Sequence, residues 1–439
     1  MLCVFLWVVA CGEGGSNKSG GSEGGEPLPG PGSLPPGEVG APSSPSSPLE
    51  EEVPLLELEG NIEIAPASAY IDTELTATYD GGEAVHFQWK KEGEDIEGAT
   101  GNTYSPSSAG GYAVTVGAPG YVSKTSPPVT VSVDPSLGLT WTAFSNAFTK
   151  QYINGLCHGN GHFVAGTYEG TIASSTDSMT WTQSVSKPFG TSTSGNSAVI
   201  AIAYGNGRFV AGGMQGKMAY SDDNGKTWVA VQDSTFGEFF IENIAWGGGR
   251  FVAVGPGGKI AHSTDGKSWV AVKDSTFDSK SIIYGIAYGG GRFIVGGMDG
   301  YMAWSADGDT WTAIPRDGAV FGKTHVLRIA YGGGRFIAAN YSNRMAWSTD
   351  GETWTVIAKN PFKNVYGLAY GGGKFVAGGT AGRMAHSEDG ETWTLVSNST
   401  FGAEGTISRI VYGNGRFIAV GRAGGVADGY GQMAYSTGK

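Results

Sequence analysis

Arginine, tyrosine and carboxylate side chains stand where this otherwise repetitive sequence stops repeating. Asn243, Arg328 and Arg409 occupy a slot that holds Gly at 155, 285 and 367. Tyr168, Glu169, Asp299 and Tyr341 lie in short connections that differ from repeat to repeat, and Arg422 opens a longer one running to Gln432. Aromatic rings stack on a ligand while a few polar groups fix its orientation by hydrogen bonds, so the chemistry expected of this set is recognition. His158 and His162 in HGNGH fill repeat slots held elsewhere by Tyr204 and Arg208 and lack a third ligand, so neither a metal nor a cofactor is expected. One Phe recurs in each connection, at 148, 189, 236, 277, 321, 362 and 401. Such regularity favours a plug between neighbouring units over a ring of sugar platforms.

The elements that must position these residues are short strands. A Gly-rich phrase, AYGGGRFIVG in its fourth copy (287–296), recurs seven times from Cys157 onward, roughly every 40 residues. Each repeat divides into four apolar-alternating runs, as in NIAWG (243–247), RFVAVG (250–255), KIAHS (259–263) and SWVAV (268–272). Gly-Gly-Gly joins the first two runs and Thr-Asp-Gly the last two, both hairpin signals. A closing Trp follows six of the phrases; the seventh, Trp141, precedes them all, and the chain stops at MAYSTGK (433–439). A repeat divided between the two chain ends closes a ring and removes two sheet edges. The expected fold is therefore all-β, with a seven-bladed β-propeller over 137–439 and its last blade built from both termini. In such a ring the second-to-third connections and the fourth-to-first connections share one face around the central channel. The candidate residues above are expected to converge there, and the opposite face to carry hairpins. The repeated cations at 208, 250, 292, 335, 374 and 416 belong to that far-face scaffold.

The phrases at Ser263–Trp269, Ser305–Trp311, Ser348–Trp354 and Ser387–Trp393, and SDDNGKTW at 221–228, resemble the Asp-box, or BNR, repeat of sialidase-like propellers. The resemblance covers 137–439. Physically the box is a turn in which Ser and Asp side chains satisfy loose backbone N–H groups and Gly supplies the bend. In sialidases an arginine triad holds a carboxylate beside a Tyr/Glu nucleophile pair and an Asp acid. That would cast Arg328, Arg409 and Arg422 as the triad, with Tyr168, Glu169, Asp299 and Tyr341 near them. The family's Phe/Tyr-Arg-Ile-Pro motif is absent, and the connections are short for an enzyme pocket.

Ahead of the repeats, MLCVFLWVVAC (1–11) resembles a bacterial lipoprotein signal, with Cys11 the lipidated residue. Residues 12–57 are rich in Gly, Ser, Pro and Glu and read as a disordered tether. FQWKKEGEDIEGATGNTY (87–104) and GGYAVTV (111–117) resemble an Ig-like module over 58–133, with Trp89 at its core and Tyr112 as the tyrosine-corner residue. Cys157 takes an Ala slot and is expected to be an unpaired buried residue. With net charge −12 and no Lys/Arg cluster, nucleic acid is excluded as a partner. No run after residue 11 is long enough to span a bilayer, so membrane contact is expected through the lipid alone. These features point to a monomeric, non-catalytic binding protein of the bacterial cell envelope that takes a glycan or protein ligand. A sialidase-type glycoside hydrolase and an assembly scaffold are the alternatives.

Overall fold

The computed structural model describes residues 55–144, 148, 151–316, 320–425 and 430–438. Cys11, the signal and the tether as far as residue 54 lie outside them, as do residues 426–429 of the Arg422–Gln432 connection. Among the described residues the only helical elements are two single turns, Met214–Gly216 and Met298–Gly300.

From residue 142 the chain is a β-propeller. Seven four-stranded sheets lie among the described residues. The fourth, for example, runs Ile283–Gly289, Arg292–Gly297, Met302–Ser305 and Thr312–Ile314 in antiparallel order. Inner strands are buried along nearly their whole length and outer ones are two or three exposed residues, which keeps the edges too short to template further pairing. The first strand of each sheet packs on the first strand of the next, and that of the seventh on that of the first. Aromatic rings mark this closure at the hairpin end. Trp246 covers the spot where a side chain on Gly205 of the preceding sheet would stand, and His158 does the same over Gly413 of the seventh. At both positions any residue larger than glycine would push the ring away.

The seventh sheet takes Thr406–Gly413, Arg416–Arg422 and Tyr430–Thr437 from the C-terminus and Thr142–Phe144 from the front. Its outer turn is likewise reassembled from two chain ends. In the fourth sheet Ser305 Oγ accepts from Gly308 N–H at 2.7 Å and Trp311 Nε1 donates to Gly308 O at 3.3 Å. In the seventh, Ser436 Oγ accepts from Gly138 N–H at 2.8 Å and Trp141 Nε1 donates to Gly138 O at 2.9 Å.

The recurring Phe side chains serve the junctions between sheets. Phe148, Phe189, Phe236, Phe321, Phe362 and Phe401 are buried, and Phe148, Phe321 and Phe362 meet Trp181, Trp354 and Trp393 edge-on. On the far side Arg335 pairs with Glu391 at 2.6 Å, and Arg416 donates to Asp177 O at 3.1 Å. Lys374 departs from this pattern: its ammonium is buried and donates to Pro135 O and Leu137 O of the incoming segment, at 3.0 and 3.3 Å. Cys157 is buried, as its Ala slot implies.

The front unit is also all β. One sheet runs Ser68–Tyr70, Val129–Ser132, Gly110–Gly117, His86–Lys91 and Glu94–Asp95, with Lys124–Thr125 beside Gly110–Gly117. A three-stranded sheet comprises Ile62–Ala65, Leu75–Tyr79 and Thr103–Tyr104. Trp89 and Tyr112 are buried in its core, and the Tyr112 hydroxyl donates to Ser108 O at 2.9 Å. Leu56–Glu57, read from sequence as tether, pairs in parallel with Tyr121–Val122. The unit meets the propeller where Tyr412 donates its hydroxyl to Asp72 at 2.6 Å.

Candidate binding site at the channel mouth

A bulge repeats at the start of the innermost strands and builds the site. Strand pairing skips Asn154, Ile200, Tyr284, Leu327, Tyr366 and Ser408 in six sheets. In the third sheet pairing begins at Asn243, and Glu242 before it donates its N–H to Val254 O at 2.8 Å. A bulge re-aims a side chain without ending the strand. Seven consecutive sheets thus bring one variable residue each to the same end of the innermost strands.

The residue after the bulge acts as a bridge wherever it is not small. Asn243 Nδ2 donates to Tyr284 O at 3.3 Å, Arg328 Nε to Tyr366 O at 2.6 Å, and Arg409 Nε to Asn154 O. In all three the acceptor is the bulged carbonyl of the next sheet. Arg409 reaches further, its Nη2 donating to Ile200 O of the second sheet at 3.1 Å. Both guanidinia are fully buried. Burial pushes Arg328 down to about 9, with Glu242 opposing the shift, so it stays protonated at neutral pH.

Glu242 completes this floor. Its carboxyl is 1% exposed and Oε1 has no hydrogen-bond partner. Burial drives it well above the usual carboxylate range, while Arg328 and Arg409 pull it back part of the way. Tyr284 is pushed up to about 12 by burial, with the charges of Glu242 and Asp299 adding to it. Tyr366 is also pushed up to about 12 by burial, then by Tyr341, against the pull of Arg328.

Above the floor an apolar ring gathers Ile200, Tyr284 and Leu327 with half-buried Tyr168, Met214, Phe240, Met298 and Tyr366. Tyr168 stands edge-on to Tyr152 at 6.2 Å. His325 lies 5.5 Å from Tyr284, accepts from Asp299 N–H at 3.2 Å through Nδ1, and offers its carbonyl to Tyr341 N–H at 3.1 Å. Asp299 and Tyr341 are themselves exposed, and Glu169 is half-buried. The structure thus brings Arg328, Arg409, Asn243, Tyr168, Asp299 and Tyr341 to one end of the ring. Arg422 is exposed at the end of its strand and does not join the buried floor. Glu242, Tyr284, Tyr366 and His325 escaped sequence reasoning. The signal lay one residue upstream of the Asn243 slot, where a carboxylate stands among apolar and neutral residues.

Residues 175–317 match the family described as the DUF6242 beta propeller domain. No curated protein matches the chain. Among solved structures, YCF48 from Cyanidioschyzon merolae is 15% identical with a TM-score of 0.52, covering 68% of this chain and 98% of that one. A structure described as YCF48 bound to D1 peptide is 14% identical with a TM-score of 0.54, covering 70% and 99%. The WD40 beta propeller domain of Doa1 is 11% identical with a TM-score of 0.50, covering 69% and 96%. At these identities the likeness is one of fold, and that shared fold is the β-propeller.

Proposed function

We propose that the chain is a binding protein that takes up an extended segment of a protein partner at the channel mouth. The observation that carries this reading is the gathering of Tyr168, Met214, Phe240, Met298 and Tyr366 around one end of the ring, over a floor held rigid by Arg328 and Arg409. Rigid aromatics give contact area at low entropic cost, and methionines adapt to irregular partners. A contiguous apolar rim on a water-facing end is itself a mark of an interaction site. A protein ligand is favoured over a glycan because a propeller of similar fold is described as bound to a peptide.

Within this reading the seven four-stranded sheets are seven blades, their Ser-x-Asp turns are Asp-boxes, and the front unit is an Ig-like spacer. Its buried Trp89 and the Tyr112–Ser108 bond support that last assignment. Lipidation at Cys11 would hold the whole at a bacterial envelope membrane. The test is to pan a random-peptide phage library against the full chain. Enriched peptides that bind at least about tenfold more weakly to Tyr168→Ala and Tyr341→Ala support the reading. No enrichment, or equal binding to both variants, defeats it.

A second reading rests on one pairing. Glu242 and Tyr284 interact at the floor beside two arginines, the residue types of a sialidase-type centre. Turnover of a fluorogenic sialoside that is abolished in Glu242→Gln would establish it; absence of turnover at any pH from 4 to 8 would remove it.

A further inference from the structure

The junction between the fourth and fifth sheets differs from the others in sequence and in packing. Phe236, Phe277, Phe362 and Phe401 each follow their Trp (228, 269, 354 and 393) by eight residues, whereas Phe321 follows Trp311 by ten. Three of these four shorter connections are pinned by a serine two places before the Phe, and the one to Phe362 has Asn360 there, which accepts from Phe362 N–H at 3.0 Å. Ser234 Oγ donates to Gly216 O at 2.6 Å, Ser275 to Gly258 O at 2.5 Å, and Ser399 to Gly382 O. The fourth connection has Ala319 at that place in the sequence, and residues 317–319 lie outside the described residues. A cleft of about 220 Å³ opens beside Gly300.

The floor of this cleft is Met302, Ile314, Phe321 and the ring of Trp354. Trp354 is half-buried, while Trp141, Trp181, Trp228, Trp269, Trp311 and Trp393 are buried. Its indole N–H is already used on Gly351 O at 3.1 Å, so what it offers a ligand is ring surface. The rim is polar and carries both signs. Arg316 is exposed and stacked on Tyr301 at 4.6 Å, one of its N–H groups reaching Asp299 O at 3.3 Å. Glu352 faces it, paired with Arg292.

We propose that this cleft binds a single saccharide ring, its C–H face stacked on Trp354 and its hydroxyl edge held by Arg316 and Glu352. A purely apolar occupant would cover the guanidinium and the carboxylate without replacing their bonds to water. A sugar has one apolar face and an edge of hydroxyls that both donate and accept, which suits an aromatic floor beside a donor and an acceptor. The volume is below that of a drug-sized pocket, which restricts the ligand to about one ring. The cleft borders the Met298–Gly300 turn of the channel mouth but is lined by none of the side chains that ring that mouth.

The experiment is saturation-transfer NMR on the full chain with glucose, galactose, mannose, N-acetylglucosamine and N-acetylneuraminic acid, each offered alone at millimolar concentration. The expected result is transfer to at least one sugar, with affinity near the millimolar range typical of so small a ligand. Binding should weaken roughly tenfold in Trp354→Ala. Arg316→Ala, an exposed position where folding is unaffected, should weaken it as well while Tyr168→Ala leaves it unchanged. Absence of transfer to all five sugars overturns the proposal. So does transfer that survives Arg316→Ala unaltered, or that is lost in Tyr168→Ala instead.

Discussion

Arg409 bonds to carbonyls in the first and second sheets from a strand of the seventh, so one side chain spans the seam where the ring closes. Replacing it with Leu would strand those carbonyls and leave Glu242 with one counter-charge instead of two. We expect Arg409→Leu to cost about 3 kcal/mol in denaturant unfolding. Arg409→Lys should recover little, because an ammonium cannot reach two carbonyls with the geometry of a planar fork. Tyr341, exposed at the rim, should behave in the opposite way: Tyr341→Ala leaves the unfolding midpoint within about 0.5 kcal/mol of the parent while weakening peptide binding. The arginines were legible in the sequence because they interrupt a run of glycines. Glu242 was harder to see, because its slot varies throughout, holding Asn154, Ile200, Tyr284, Leu327, Tyr366 and Ser408 elsewhere, and its one signal is to be the single charged residue among them. Only the bulge, a feature of backbone pairing, shows that this variable slot lies on the axis.

The turn between third and fourth strands is the most uniform element of the chain, and its chemistry gives it a pH dependence. At Asp350 burial opposes ionisation, but the N–H groups of Thr353 and Glu352 and the Ser348 hydroxyl outweigh it and hold the carboxyl near 2. Asp307 reaches about 2 by the same balance; at Asp177 the Thr180 and Met179 N–H groups are the main cause of a similar value. These folded-state values lie below the ordinary value of roughly 3.9. Their stabilisation is therefore complete above that pH and lost as pH falls through about 2. Thermal melting should accordingly show a declining Tm between roughly pH 4 and pH 2, with a shallower decline in Asp350→Asn and Asp307→Asn. The turns could be read from sequence since Ser, Asp and Gly recur at fixed offsets. The cleft beside Gly300 could not be read from sequence, because its floor joins Met302 and Ile314 of one sheet to Trp354 of the next.

At the scale of the molecule, closure depends on a strand and a turn contributed from opposite ends of the chain. Trp141, buried and bonded to Gly138, wedges the last junction. Trp141→Ala should cost about 3 kcal/mol and sharply lower the Tm, although the residue lies outside all seven Gly-rich phrases. That closure was legible from a repeat cut in two. The seating of the front unit was not. Lys374 looks like an ordinary stand-in for Arg, yet its ammonium is buried against the carbonyls of the segment that joins the two units. The partner's place in this reading is the end of the ring where the bulged residues meet. Its most direct test is amide hydrogen exchange on the full chain with and without a peptide selected by panning. Protection confined to residues 167–170, 213–217, 297–300 and 340–344 is the predicted result. Protection at the hairpin tips near 206–207 and 248–249, or along the outer strands, would place the partner elsewhere and contradict the account.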